Sequence, residues 1–194
     1  MSRCLLHVWL GSPLPDECRR VIRHNISLLK PEDTAILVSD DAAARVRGAK
    51  SISLSQVEKL AARLKLGATF SRYREQFVEG PRFPLAMAMS DVARITLAAC
   101  TPGLVYCDCD TMLREIPPAQ GTGPGACFLE MHGAGGRIDH SVFAVNGDTE
   151  FFVGVLRFMS TVQRIGRGKL WRVINKRAVG HTNTIPMSCI ESNS

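Results

Sequence analysis

The sequence predicts one α/β domain built on a mixed, mostly parallel sheet flanked by helices. Three observations predict it. Short apolar runs alternate with helical patterns through the first half of the chain. The 194 residues, 45% hydrophobic and 22% charged, suffice for one such core and are tight for two, so 1–194 reads as a single domain. And "LVYCDCDTML" (104–113) ends an apolar run on two acids, at the carboxyl end of a strand, the edge where open α/β sheets collect ligands.

The elements follow in order. "CLLHVWL" (4–10) is a strand closed by the turn "GSPLP". "PDECRRVIRHNISLLKP" (15–31) spaces Cys18, Val21, Ile22, Ile26 and Leu29 on one helical face between two prolines. "TAILVSDD" (34–41) is a second buried strand, which completes a parallel βαβ unit. "SLSQVEKLAARLKLG" (53–67) is a helix with Ser53 or Ser55 as cap and Gly67 as stop. "ATFSRYREQFVEGPRFP" (68–84) reads as a helix ended by Gly80 and Pro81, and 85–103 as a strong helix stopped by Pro102 and Gly103. After the strand 104–110 comes a Pro/Gly-rich loop (115–126) inside the domain. Strands at 127–132 and 140–148 flank a glycine-rich turn at 133–136; a helix (149–165) and a polar, irregular tail (177–194) follow.

Composition narrows the function classes. Seven scattered cysteines without CxxC pairs indicate neither a structural zinc site nor a disulfide framework. No apolar stretch is long enough for a membrane span, and His7 and Trp9 interrupt the amino-terminal run as a signal peptide. The expectation is a cytoplasmic protein, with secretion as an effector by a signal-less route left open. The formal charge of +6 favours an anionic ligand. The only dense cationic segment is "RIGRGKLWR" (164–172), which argues against a nucleic-acid partner.

The chemistry centres on the acidic pair. On an extended strand Tyr106, Asp108 and Asp110 share a face, with the carboxylates about 7 Å apart, and Cys107 and Cys109 pack on the other. Such a pair can hold one hard cation, which would take up the charge of a departing diphosphate. On the helix before it, Asp91 and Arg94 stand at i, i+3, next to Ser90.

The string "SDVARITLAACTPGLVYCDCD" (90–110) resembles the sugar-transferase family with a DXD motif, which includes glucosylating bacterial toxins and Golgi and capsular enzymes. "LLHVWLGSPLP" (5–15) is similar to that family's opening strand, and the resemblance runs from about residue 5 to 117. It implies a GT-A-type, Rossmann-like domain. It also implies transfer of a hexose or N-acetylhexosamine from a nucleotide-diphosphate sugar, with a UDP-sugar foremost, to a glycan or protein acceptor with retention. Residue by residue, Trp9 would stack on the base, Ser90 would line the donor site, and Asp91 would hold ribose or sugar hydroxyls. Arg94 would reach the donor, Asp108 would contact ribose, sugar and metal, and Asp110 would ligate Mn2+ or Mg2+ directly. Arg94→Ala is accordingly expected to cost donor binding more than stability.

The second half (127–159) is more similar to arginine-modifying N-acetylglucosaminyltransferase effectors. Asp139-His140-Ser141 stands where many members carry Asn-Asn-apolar. Asp139 is the candidate catalytic carboxylate, with Glu130, His132 and His140 as further acid–base groups. That resemblance implies that 181–194 is either a lid, in which Asn183 would add a metal contact, or a plain tail, and unlike the effectors' lids it has no tryptophan. Two rivals remain. One is a haloacid-dehalogenase-like phosphatase, whose Asp-x-Asp motif wants Thr or Val where Met112 stands. The other is a degenerate transferase that binds a sugar nucleotide or a partner without turnover.

Overall fold

A computed structural model describes residues 2–41, 44–79, 82–117, 126–130, 138–145, 149–161 and 183–185. The chain opens with β1 (Cys4–Trp9), α1 (Asp16–Ser27) and β2 (Thr34–Ser39), and β1 and β2 pair in parallel from Cys4↔Thr34 to Trp9↔Ser39. Helix α1 starts where Pro15 is extended (φ −62°, ψ 150°), and Asp16 and Glu17 in its first turn face the positive end of the helix dipole. Its buried stripe is Cys18, Val21, Ile22 and Asn25.

Next come β3 (Lys50–Ile52), α2 (Leu54–Arg63), α3 (Gly67–Glu79) and α4 (Arg82–Cys100). Ser53 caps α2, and its backbone N–H donates to Gln56 Oε1 at 2.8 Å, half of a capping box. Gly67 is not the stop of α2. The helix ends at Arg63, Lys65 takes the left-handed turn (φ 60°), and Gly67 opens α3. A β-carbon at Gly67 would lie 3.3 Å from Ala62 Cα and Cβ, so the glycine serves a close helix–helix joint. Helix α4 begins three residues earlier than its sequence pattern suggests. Met89, Val92, Ala93, Ile95, Leu97, Ala98 and Ala99 are all buried, so it is enclosed on nearly every side.

Strand β4 (Leu104–Cys107) then enters beside β1, followed by β5 (Ala126–Glu130), β6 (Ile138–Val145), α5 (Glu150–Ser160) and β7 (Asn183–Ile185). The described strands form one sheet in the order β3-β2-β1-β4-β6-β5-β7, in which only β6 runs antiparallel to its neighbours. The mixed, mostly parallel sheet is therefore as expected. Strands β3 and β7 are additions to it, and β7 replaces part of the tail expected to be irregular. The turn 133–136, His132 and the rest of the tail lie outside the described residues.

The sheet separates two apolar layers. One face carries Leu6, Val8, Val38, Tyr106 and Phe143 against α2, α3, α4 and α5; the other carries Leu5, Leu37, Val105, Cys107 and Val142 towards α1 and the 113–116 segment. Phe143 links the first layer, 5.0 Å between centroids from Tyr106 and 5.3 Å from Phe152. Each fully buried aromatic or leucine here contributes roughly 1.5–3 kcal/mol. No described helix is long and apolar enough to cross a membrane. Strand β1 has β2 on one side and β4 on the other, so the strand order reverses between β1 and β4. In α/β sheets, ligands bind beyond the carboxyl ends at such a reversal.

Candidate active site at the carboxyl ends of β1 and β4

The backbone ladder between β1 and β4 reaches only Leu6↔Tyr106. Past that point side chains satisfy the freed carbonyls. His7 Nδ1 bonds Cys107 O at 2.8 Å, and the Cys109 thiol donates to Val8 O at 3.5 Å. His7 has no exposure, and no described residue bonds its Nε2. Burial lowers its pKa from 6.5 to about 4, against the opposing pull of the Cys107 carbonyl, so the ring is neutral.

The α4 side of this edge is organised by a buried cation. Arg94, 6% exposed, bonds Asp91 (5% exposed) through Nη2 and reaches Asp108 Oδ1 through Nη1 at 3.5 Å. Its guanidinium lies 4.7 Å over the Tyr106 ring, and the Tyr106 hydroxyl donates to the same Asp108 oxygen. Burial works against Arg94's charge, but Tyr106, Asp91 and Asp108 outweigh it, and its pKa is raised. Burial raises Asp108 to about 6, more than Arg94 and the Tyr106 hydrogen bond lower it. With 39% of its side chain exposed, solvent softens that rise.

The acidic pair departs from simple alternation. β4 ends at Cys107, Asp108 N–H donates to Ser141 O at 2.7 Å, and the chain turns, with Thr111 N–H donating to Asp108 O at 3.2 Å. Asp108 and Asp110 therefore do not share a strand face. Asp108 is drawn towards α4, whereas the exposed Asp110 is close enough to Cys18 and Cys109 to raise both thiols, after the larger effect of burial. Trp9, half-buried, packs against the apolar cluster that contains those two cysteines, and its indole N–H donates to Ser12 O at 2.9 Å. Asp110 and Trp9 are thus on the α1 side of the edge. The carboxylates of the pair still repel one another, as Asp110 contributes to the rise at Asp108.

The remaining candidates are distributed unevenly. Ser90 is half-buried on α4, next to Asp91. Asp91 is buried behind Arg94 rather than open to a ligand. Asp139 pairs in register with Leu129, two residues before Ser141, which puts its backbone at the edge occupied by Asp108. His140 follows it on β6, and Glu130 ends β5. Asn183 is not gathered there. Its backbone is level with Cys127, Ala144 and Val105, three strand spacings or about 14 Å from β4 and below the ligand edge. Cys107 and Cys109 are buried packing residues, as their face requires. Sequence reasoning missed Asn25, a fully buried amide on α1 that bonds the 108–113 turn. Its signal was a polar residue within the apolar stripe Cys18–Val21–Ile22.

No protein-family model matches the chain, and no curated protein matches it in sequence. Solved structures do. The PaToxG glycosyltransferase superposes with TM-score 0.61 at 15% identity, covering 91% of this chain and 68% of that one. GlyE, a glycosyltransferase of Streptococcus pneumoniae, gives 0.55 at 10%, covering 96% and 45%. The bifunctional WbbM gives 0.54 at 9%, covering 96% and 39%. The chain has the fold of these glycosyltransferases and spans less than half the length of the last two.

The geometry reverses the ranking expected for Arg94. Arg94→Ala removes the cation that Asp91 and Asp108 share, and breaking a buried pair costs roughly 3–5 kcal/mol, measurable by denaturant unfolding. His7 gives a pH signature. The folded protein keeps it neutral down to about 4 while the unfolded chain protonates near 6.5. The unfolded state therefore binds more protons in that window, and stability falls as pH drops from 6.5 to about 4. Asp108 has the opposite sign, since its raised pKa favours the fold at low pH, so the comparison must be with a His7→Gln variant. The wild type should lose up to roughly 3 kcal/mol relative to the variant across the window, measured by unfolding at pH 7 and pH 4.

Proposed function

We propose that the protein is a metal-dependent glycosyltransferase that moves a hexose or N-acetylhexosamine from a nucleotide-diphosphate sugar to a glycan or protein acceptor. A UDP-sugar is the first donor to test. The observation that supports this reading is the position of Trp9, Asp108 and Asp110 at the carboxyl ends of β1 and β4, where the strand order reverses, on a fold shared with solved glycosyltransferases. Trp9 would offer a face to the base, since its indole N–H is already committed to Ser12. Asp110, exposed, would be the direct ligand of Mn2+ or Mg2+, and Asp108 would share the ion and the ribose.

The donor set suits such an ion. Among the described residues no three His, Cys, Asp or Glu side chains converge, so water and diphosphate oxygens would fill the remaining positions, as these cations accept. A bound ion would supply charge neutralisation for the departing diphosphate. Arg94 would act through Asp108, holding its carboxylate, and Asp139 at the β6 edge is proposed to steer the acceptor. Retention of configuration is carried over from the sequence resemblance.

The burial of Asp91 and Arg94 favours a second reading, a fold that binds a sugar nucleotide without turnover. Donor hydrolysis separates the two. With Mn2+ present, wild-type protein should slowly release sugar from a UDP-sugar, and Asp110→Ala should abolish that release while circular dichroism stays unchanged. Undiminished release by the variant would remove the metal role. Trp9→Ala should weaken UDP binding by roughly 1–3 kcal/mol in calorimetry; wild-type affinity would mean that Trp9 is a packing residue only.

A further inference from the structure

The turn that carries the acidic pair is held from the α1 face by one buried amide. Asn25, with no exposure, donates through Nδ2 to Thr111 O at 2.9 Å and accepts from Leu113 N–H at Oδ1, also at 2.9 Å. The two partners, one carbonyl and one N–H, define which end of the amide is which. Nδ2 also approaches Cys107 Sγ at 3.6 Å, and that thiol donates to the same Thr111 carbonyl at 3.2 Å. The preceding residue adds a fourth tie, His24 Nε2 to Leu113 O at 2.9 Å. These bonds bracket 108–113 from both ends. Thr111, which Asn25 holds, in turn donates its N–H to the Asp108 carbonyl. A backbone turn held this way leaves its side chains little freedom to drift, and catalytic constellations lose function with small displacements.

We propose that Asn25 is a positioning residue that sets where Asp108 and Asp110 stand relative to a nucleotide diphosphate and its cation; this rests on the transferase reading. The competing account is that Asn25 only satisfies buried backbone groups and matters for stability alone. The two accounts differ in what they move. A stability role lowers the folded fraction, so kcat falls while KM and affinity hold. A positioning role raises donor KM and weakens nucleotide–metal binding in protein that is still folded.

The experiment compares wild type, Asn25→Asp, Asn25→Leu and His24→Ala at a temperature where circular dichroism shows each folded. Asn25→Asp keeps an acceptor for Leu113 but loses the donor to Thr111; Asn25→Leu loses both; His24→Ala removes the tie to Leu113 O and leaves Asn25 in place. The probes are UDP with Mn2+ in calorimetry and Mn2+-dependent UDP-sugar hydrolysis. Asn25→Leu should bind Mn2+–UDP roughly ten- to hundred-fold more weakly, the range for residues that orient metal ligands. Asn25→Asp should lose nearly as much, His24→Ala less, and donor KM should follow the same order. If Asn25→Leu fails to fold, the other two variants decide. Folded variants with wild-type affinity and KM overturn the inference alone. A wild type that neither binds Mn2+–UDP nor hydrolyses any UDP-sugar overturns the transferase reading and this inference with it.

Discussion

A guanidinium sealed inside the helical layer governs the rest of the site. Arg94 cannot shed its proton, so its place in the interior demands anions within reach. Asp91 answers from the same helix and Asp108 from the end of β4, while the Tyr106 ring lies beneath the cation and stacks on Phe143. One charge thereby fixes the central helix to the central strand and turns an aspartate back towards the core. Without Arg94, the Tyr106 hydroxyl would be the remaining side-chain tie of Asp108 at this edge among the described residues.

The opposite face contributes a different kind of hold. Where the helical layer uses an ion pair, α1 uses side-chain hydrogen bonds from Asn25 and His24 to the backbone after β4. Between the two, the early end of the β1–β4 ladder lets His7 and Cys109 bond carbonyls that a longer ladder would have used. The edge is therefore open in its backbone pairing yet braced from both sides. Bracing of this sort holds two like charges near one another, and such charges repel unless something of opposite sign stands close to them.

Much of this was legible in the residues. The apolar runs at β1, β2 and β4 and the face of α1 declared themselves by period, and the acidic pair by its position at the end of such a run. Other features left weaker traces. β3 is three residues, two of them exposed, and gives no hydrophobic signal. Gly67 looked like a stop because glycine commonly ends helices, but Lys65 adopted the left-handed turn and freed the glycine for the Ala62 contact. Strict alternation placed Asp108 and Asp110 on one face because a strand pattern cannot announce that its last residues turn. Asp91 and Arg94 were correctly paired by spacing, yet spacing says nothing of burial, which is what makes them a foundation rather than open ligand contacts. Asn25 was readable in principle as the polar intruder in an apolar stripe.

The two outermost described strands, β3 and β7, are each only three residues long, and β3 begins on an exposed lysine. Unpaired edges of a sheet are templates on which further chains can stack, and short borders offer little length for such growth. Among the described residues the sheet thus tapers at both flanks, and its full-length strands lie at the centre, around β1 and β6.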